Sequence, residues 1–141
     1  MRCRWGEFPY SLGGEVDKAG HPAFRDGPYR HSKPDFLVHI PGDMDGNLAV
    51  MEVKASTASL EALRADVRKL AWFCGEPACY YCAVLLVYGV DGSFDALWPE
   101  LQLSIEDIGV ERFALVRHAE VGAPARVIGT RGLGPTAVGT K

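Results

Sequence analysis

Between Pro34 and Lys54 the chain reads PDFLVHIPGDMDGNLAVMEVK, two apolar runs around a turn-rich hexamer. No other stretch limits the fold so tightly. Residues 41–46, PGDMDG, are dense in types that reverse a chain. The flanking runs, 34–40 and 47–54, read as strands, so the pair is expected to form an antiparallel hairpin. Pro34 is tolerated because a strand's first residue can do without its N–H. The charges are the anomaly: Asp35 opens the first run, and Glu52-Val53-Lys54 closes the second. If Ile40 pairs with Asn47 across the turn, Asp35 faces Glu52. Facing Cβ atoms stand about 4.5–5.5 Å apart, and two carboxylates that close repel unless a cation lies between them. Lys54, two residues past Glu52, points to the same face. Phe36, Val38, Ile40, Ala49 and Met51 fall on the opposite face, which is expected to be the apolar packing surface. Leu37 and Val50 share the acidic face, so that face must be partly covered as well. His39 lies beside Leu37 on the acidic face, where a structural histidine is expected.

The segments that follow decide the fold class. Residues 59–74, SLEALRADVRKLAWFC, repeat Leu60, Leu63, Val67, Leu70 and Cys74 at helical spacing, the mark of an amphipathic helix. Ser59 is placed to cap it, and Gly75 with Pro77 to stop it. Residues 79–88, CYYCAVLLVY, form an apolar run of the kind found in a strand covered on both faces. A helix between two strands implies a parallel crossover. Residues 94–109 read as a short helix plus loop, and 113–118, FALVRH, as a strand. A short strand is expected over 2–10, anchored by Trp5 and Phe8, and a long loop over 11–32. From Gly122 the composition turns to Gly, Pro, Ala and Thr, so 121–141 is expected to be a flexible tail behind one domain spanning 1–120. The fold class expected is α/β with a mixed central sheet.

Asp, Glu and Lys around a hard divalent cation are the parts of metal-assisted phosphodiester hydrolysis. The cation polarises the phosphate, and the lysine offsets developing negative charge. Pro34-Asp35 followed by Glu52-Val53-Lys54, with Glu52 seventeen residues after Asp35, resembles the PD-(D/E)XK, or restriction-endonuclease-like, nuclease superfamily. The likeness covers roughly residues 1–90 and extends through the helix holding Asp66, Lys69 and Leu70. It implies Asp35, Glu52 and the Val53 carbonyl as ligands of Mg²⁺ or Mn²⁺, and Lys54 as the catalytic lysine. It implies a DNA nuclease, in defence, repair or recombination, with RNA a less expected substrate. The alternative is an inactive nuclease-fold subunit that binds nucleic acid or serves in assembly. The superfamily core runs helix, three strands, helix, strand. With a first strand near residue 2 the first core helix is expected to be missing, which would bare one sheet face and invite a homodimer. Glu7 is the candidate for the upstream acid that this helix would supply. Arg25, Arg30, Lys33 and Lys69 are the candidate phosphate contacts.

Composition sets the outer limits. At 141 residues the chain suits one domain. Its net charge of −3 gives no global attraction for nucleic acid, so any such contact must be local. No apolar run reaches the ~20 residues of a membrane helix, and MRCRWGEF lacks the apolar stretch of a signal peptide. A cytoplasmic protein with free thiols at Cys3, Cys74, Cys79 and Cys82 is therefore expected. Cys79 and Cys82 have CxxC spacing, but on one strand their side chains would diverge. Small buried side chains fit better there than a zinc or redox pair.

Overall fold

The computed structural model describes residues 27–29, 32–40, 43–90 and 94–134. The expected strand over 2–10 with Glu7, most of the 11–32 loop with Arg25 and Arg30, and the expectation of a missing first helix lie outside these residues. The hairpin forms as anticipated. Strand β1 (Phe36–Val38) pairs antiparallel with β2 (Ala49–Ala55), Phe36 facing Met51 and Val38 facing Ala49. That is the register in which Asp35 points toward Glu52. Within the turn Asp43 caps a single 3-10 turn (Met44–Gly46), its carboxylate accepting from the Asp45 N–H at 2.9 Å. Strand β1 is shorter than the run that encodes it. Beyond Phe36 the pairing continues only as the Asp35 N–H donating to the Met51 carbonyl at 3.1 Å, and Pro34 before it has no N–H to give.

Helix α1 (Leu60–Cys74) follows, capped by the Ser59 hydroxyl, which accepts from the Ala62 N–H. Strand β3 (Cys82–Tyr88) then lies parallel to β2. It begins later than expected because Cys79 takes a left-handed conformation, φ 51°, in the turn after α1. Helix α2 (Phe94–Ile108) leads to β4 (Phe113–His118), parallel to β3. The result is α/β: a five-stranded mixed sheet in the order β1-β2-β3-β4-β5, with two helices.

Two expectations need correction here. The segment read as short helix plus loop is one 15-residue helix that passes through Pro99. Proline removes a single helical hydrogen bond. Against that loss, Phe94, Leu101 and Ile105 are all buried on one face. The segment read as a flexible tail holds β5 (Arg126–Arg131), antiparallel to β4. Its Gly129 lies under the Trp98 ring of α2, where a Cβ would collide with the indole. Glycine there lets helix and strand close together, whereas in the sequence it reads as loop chemistry.

Both helices bury their apolar stripes on the same face of the sheet. Leu63, Val67, Leu70 and Phe73 of α1 are fully buried against Val50, Ala83, Leu85 and Val87, and Leu101 and Ile105 of α2 join the same core with Phe113 and Leu115. Each such side chain contributes ~1.5–3 kcal/mol by leaving water. This settles which hairpin face meets the helices: the cover expected over Leu37 and Val50 is present, while the apolar packing surface expected on the other face is open at Phe36. Leu37, Val50 and Glu52, at 8%, 0% and 2% exposure, face the core, while Phe36 is 59% exposed. The acidic face is the covered one because α1 packs directly on it.

Candidate active site

The site sits where β2 ends beneath α1. The chain turns back after Ala55, so α1 runs over β2 in the opposite direction. A strand advances about 3.3 Å per residue and a helix about 1.5 Å, so two strand residues span little more than one helical turn. Lys54 therefore meets Asp66, and Glu52, one step further back, meets Lys69. Lys54 Nζ lies 3.1 Å from Asp66 Oδ2, and Lys69 Nζ lies 2.8 Å from Glu52 Oε1. Lys69 also stands 3.8 Å from Asp66 Oδ1, so Asp66 has an ammonium on each side. Ser56 fixes the end of β2 by donating its N–H to the Tyr88 carbonyl at 2.7 Å. Gly89, at φ +112°, clears room for the Ser56 hydroxyl.

Asp35 enters from the hairpin side. Its Oδ2 accepts a 2.8 Å hydrogen bond from the Val53 N–H. The carboxylate thus satisfies a backbone donor at the end of β2, and this ties the acid beside Glu52.

Three carboxylates and two ammonium groups therefore share one patch, a surplus of one negative charge if all are ionised. Glu52 bears the strain. Burial raises its pKa from 4.5 to about 7, against the downward pull of Lys69 and with a further push from Asp35 and Asp66. For Lys54, burial pulls downward, but Asp66, Glu52 and Asp35 together outweigh it and leave its pKa raised, so it stays protonated. Glu52 Oε1 and Asp66 Oδ2 are buried and have no well-aligned hydrogen bond, although an ammonium is close to each.

The residues singled out in the sequence are thus partly assembled. Asp35, Glu52, Val53 and Lys54 lie near one another at this end of the hairpin, and Lys69 is placed against Glu52. Lys33 is exposed, two residues before Asp35. His39 is half-buried at the other end of β1 from Asp35. Glu7, Arg25 and Arg30 lie outside the described residues. The residue not assigned a role is Asp66. Its signal was available: at 7% exposure it occupies the buried stripe of α1, three residues after Leu63 and next to Val67, where helical periodicity calls for an apolar side chain.

Among the described residues no three His, Cys, Asp or Glu side chains converge closely enough to hold a metal ion alone. The donors present are all oxygen, which suits a hard cation, and two of them are buried without an aligned donor. A pair of carboxylates completed by a backbone carbonyl is compatible with that donor set.

The CxxC pair takes no part. Cys79 is disulfide-bonded, against the expectation of a free thiol, while Cys74 and Cys82 are free. Burial pushes the Cys74 thiol up to about 12 and raises Cys82 as well. Among the described residues no helix is long and apolar enough to cross a membrane.

No protein-family model, curated protein or solved structure matches the chain.

Proposed function

We propose that this protein is a metal-dependent nuclease that hydrolyses phosphodiester bonds of DNA, with a site of the PD-(D/E)XK kind. The observation that supports this reading is the charge surplus: buried Glu52 and Asp66 with exposed Asp35, against Lys54 and Lys69, and with the Glu52 pKa pushed up to about 7. A divalent cation at that point would let Glu52 ionise without repulsion from Asp35. Asp35 and Glu52, with the Val53 carbonyl, would hold Mg²⁺ or Mn²⁺, which would supply Lewis acidity at the phosphate and a more acidic water. The remaining work falls to the protein. The Lys54 ammonium, kept charged by its acidic neighbours, offsets negative charge that builds on the phosphate. Asp66 holds Lys54 in place, so its geometry is set before substrate arrives. Asp35 anchors the hairpin to β2 and keeps the two acids adjacent.

A second reading has its own support. Both lysines are already ion-paired and Asp35 already serves the Val53 N–H, so the cluster also works as a closed network. A non-catalytic nuclease-fold subunit that binds nucleic acid or serves in assembly would have such a network. Calorimetric titration with Mn²⁺ separates the two. The nuclease reading requires one equivalent of metal bound, lost in Glu52→Gln. No heat at millimolar Mn²⁺ leaves the non-catalytic reading.

A further inference from the structure

Lys69 holds a position that the Proposed function leaves without a task. Its ammonium is the nearest cation to Glu52, at 2.8 Å, while Lys54 is drawn off by Asp66. It is also only 16% exposed, so its charge is poorly screened by water. A second acid waits within about one ångström of movement: Asp66 Oδ1, 3.8 Å from the same nitrogen and one turn earlier on the same helix.

We infer that Lys69 is an internal counter-cation at Glu52, which a divalent metal must displace, and that Asp66 receives it. This rests on the proposed metal site. Without metal, the Lys69 ammonium neutralises Glu52 and keeps the buried carboxylate from standing alone. A metal held by Glu52 would compete with Lys69 for that carboxylate, and the ammonium then shifts to Asp66 Oδ1, the acid next in reach. Asp66 then bridges two lysines, Lys54 through Oδ2 and Lys69 through Oδ1. The two lysines thus have different tasks: Lys54 serves the phosphate, and Lys69 sets how tightly the metal is held. It also follows that metal affinity is lower than Asp35 and Glu52 alone would give.

Simple charge removal offers a competing account, under which neutralising either lysine would tighten metal binding equally. The experiment therefore compares Lys69→Met with Lys54→Met in the full chain, by calorimetric titration with Mn²⁺ at fixed pH and salt. A charge-assisted contact of this kind is worth about tenfold in affinity. Lys69→Met is expected to bind Mn²⁺ about tenfold more tightly than wild type, and clearly more tightly than Lys54→Met. Equal tightening in the two variants, or none in Lys69→Met, overturns the inference and leaves the metal site standing. No binding by wild type or by either variant overturns both. Because Lys69→Met strands Glu52 and could unfold the chain, a second measurement uses wild type alone. In protein with isotope-labelled lysine, Mg²⁺ titration is expected to shift the Lys69 side-chain NMR resonances as the ammonium leaves Glu52. Metal bound with the Lys69 resonances unmoved contradicts the exchange.

Discussion

Replacing Glu52 by glutamine perturbs the cluster with almost no change in volume, and its effect depends on pH in a way that can be worked out. In the folded protein Glu52 titrates near 7 rather than 4.5, because burial disfavours the charged form. Below pH 4.5 the carboxyl is protonated in both folded and unfolded chains, so its ionisation carries no penalty. Between 4.5 and 7 the folded state binds more protons than the unfolded one, and stability falls as pH rises. Above 7 the loss is complete. The shift is about two and a half units at 1.36 kcal/mol each, so the carboxylate costs about 3 kcal/mol by pH 8. Glutamine has no such titration. The variant also removes the charged partner that Lys69 has at 2.8 Å, a separate cost that offsets part of the gain. Urea unfolding of both proteins from pH 5 to 8, followed by tryptophan fluorescence, gives the difference. Glu52→Gln is expected to gain about 3 kcal/mol on wild type across this range, or roughly 10 °C in Tm for a chain of this size. A difference that stays flat with pH would refute the claim that Glu52 is a strained, buried carboxylate.

Three other outcomes test the fold around the site. Leu85→Ala, at a fully buried position on β3, should cost ~2–5 kcal/mol in the same urea assay. Gly129→Ala drives a methyl into Trp98 and should cost ~1–3 kcal/mol, with a change in tryptophan emission; a neutral effect would mean that β5 does not pack under α2. Native protein at pH 8 should leave Cys74 and Cys82 unmodified by a thiol reagent, because burial raises both thiols, and both should react once urea unfolds the chain. Rapid labelling without denaturant would contradict their burial.

The hairpin and its register were readable because three signals agreed: a turn-forming hexamer, a proline that stops the ladder, and charges placed where only one pairing brings them together. The helix at 60–74 carried its own cap and stop signals. Other features depended on partners distant in sequence. Residues 126–131 pack as a strand where Trp98, about thirty residues earlier, lies over Gly129. Residues 94–108 continue through Pro99 because three buried anchors outweigh one lost hydrogen bond. Which hairpin face is inside was set by where α1 lands, and alternation alone does not carry that information. The same holds within the site. Lys54 and Glu52 were legible from motif spacing, but their partners depend on the antiparallel crossing of α1 over β2. Asp66 stood out only as an acid in an apolar stripe, a mismatch that becomes meaningful once Lys54 is seen beneath it.

The central claim is tested most directly by incubating supercoiled plasmid with purified protein and Mg²⁺ or Mn²⁺. The account predicts nicking or linearisation that stops with EDTA, and that falls about a hundredfold or more when Lys54 is changed to alanine, the scale of losing one charge-stabilising donor. A Lys54→Ala protein that cuts as fast as wild type, or a folded, metal-loaded wild type that leaves DNA intact, would contradict it.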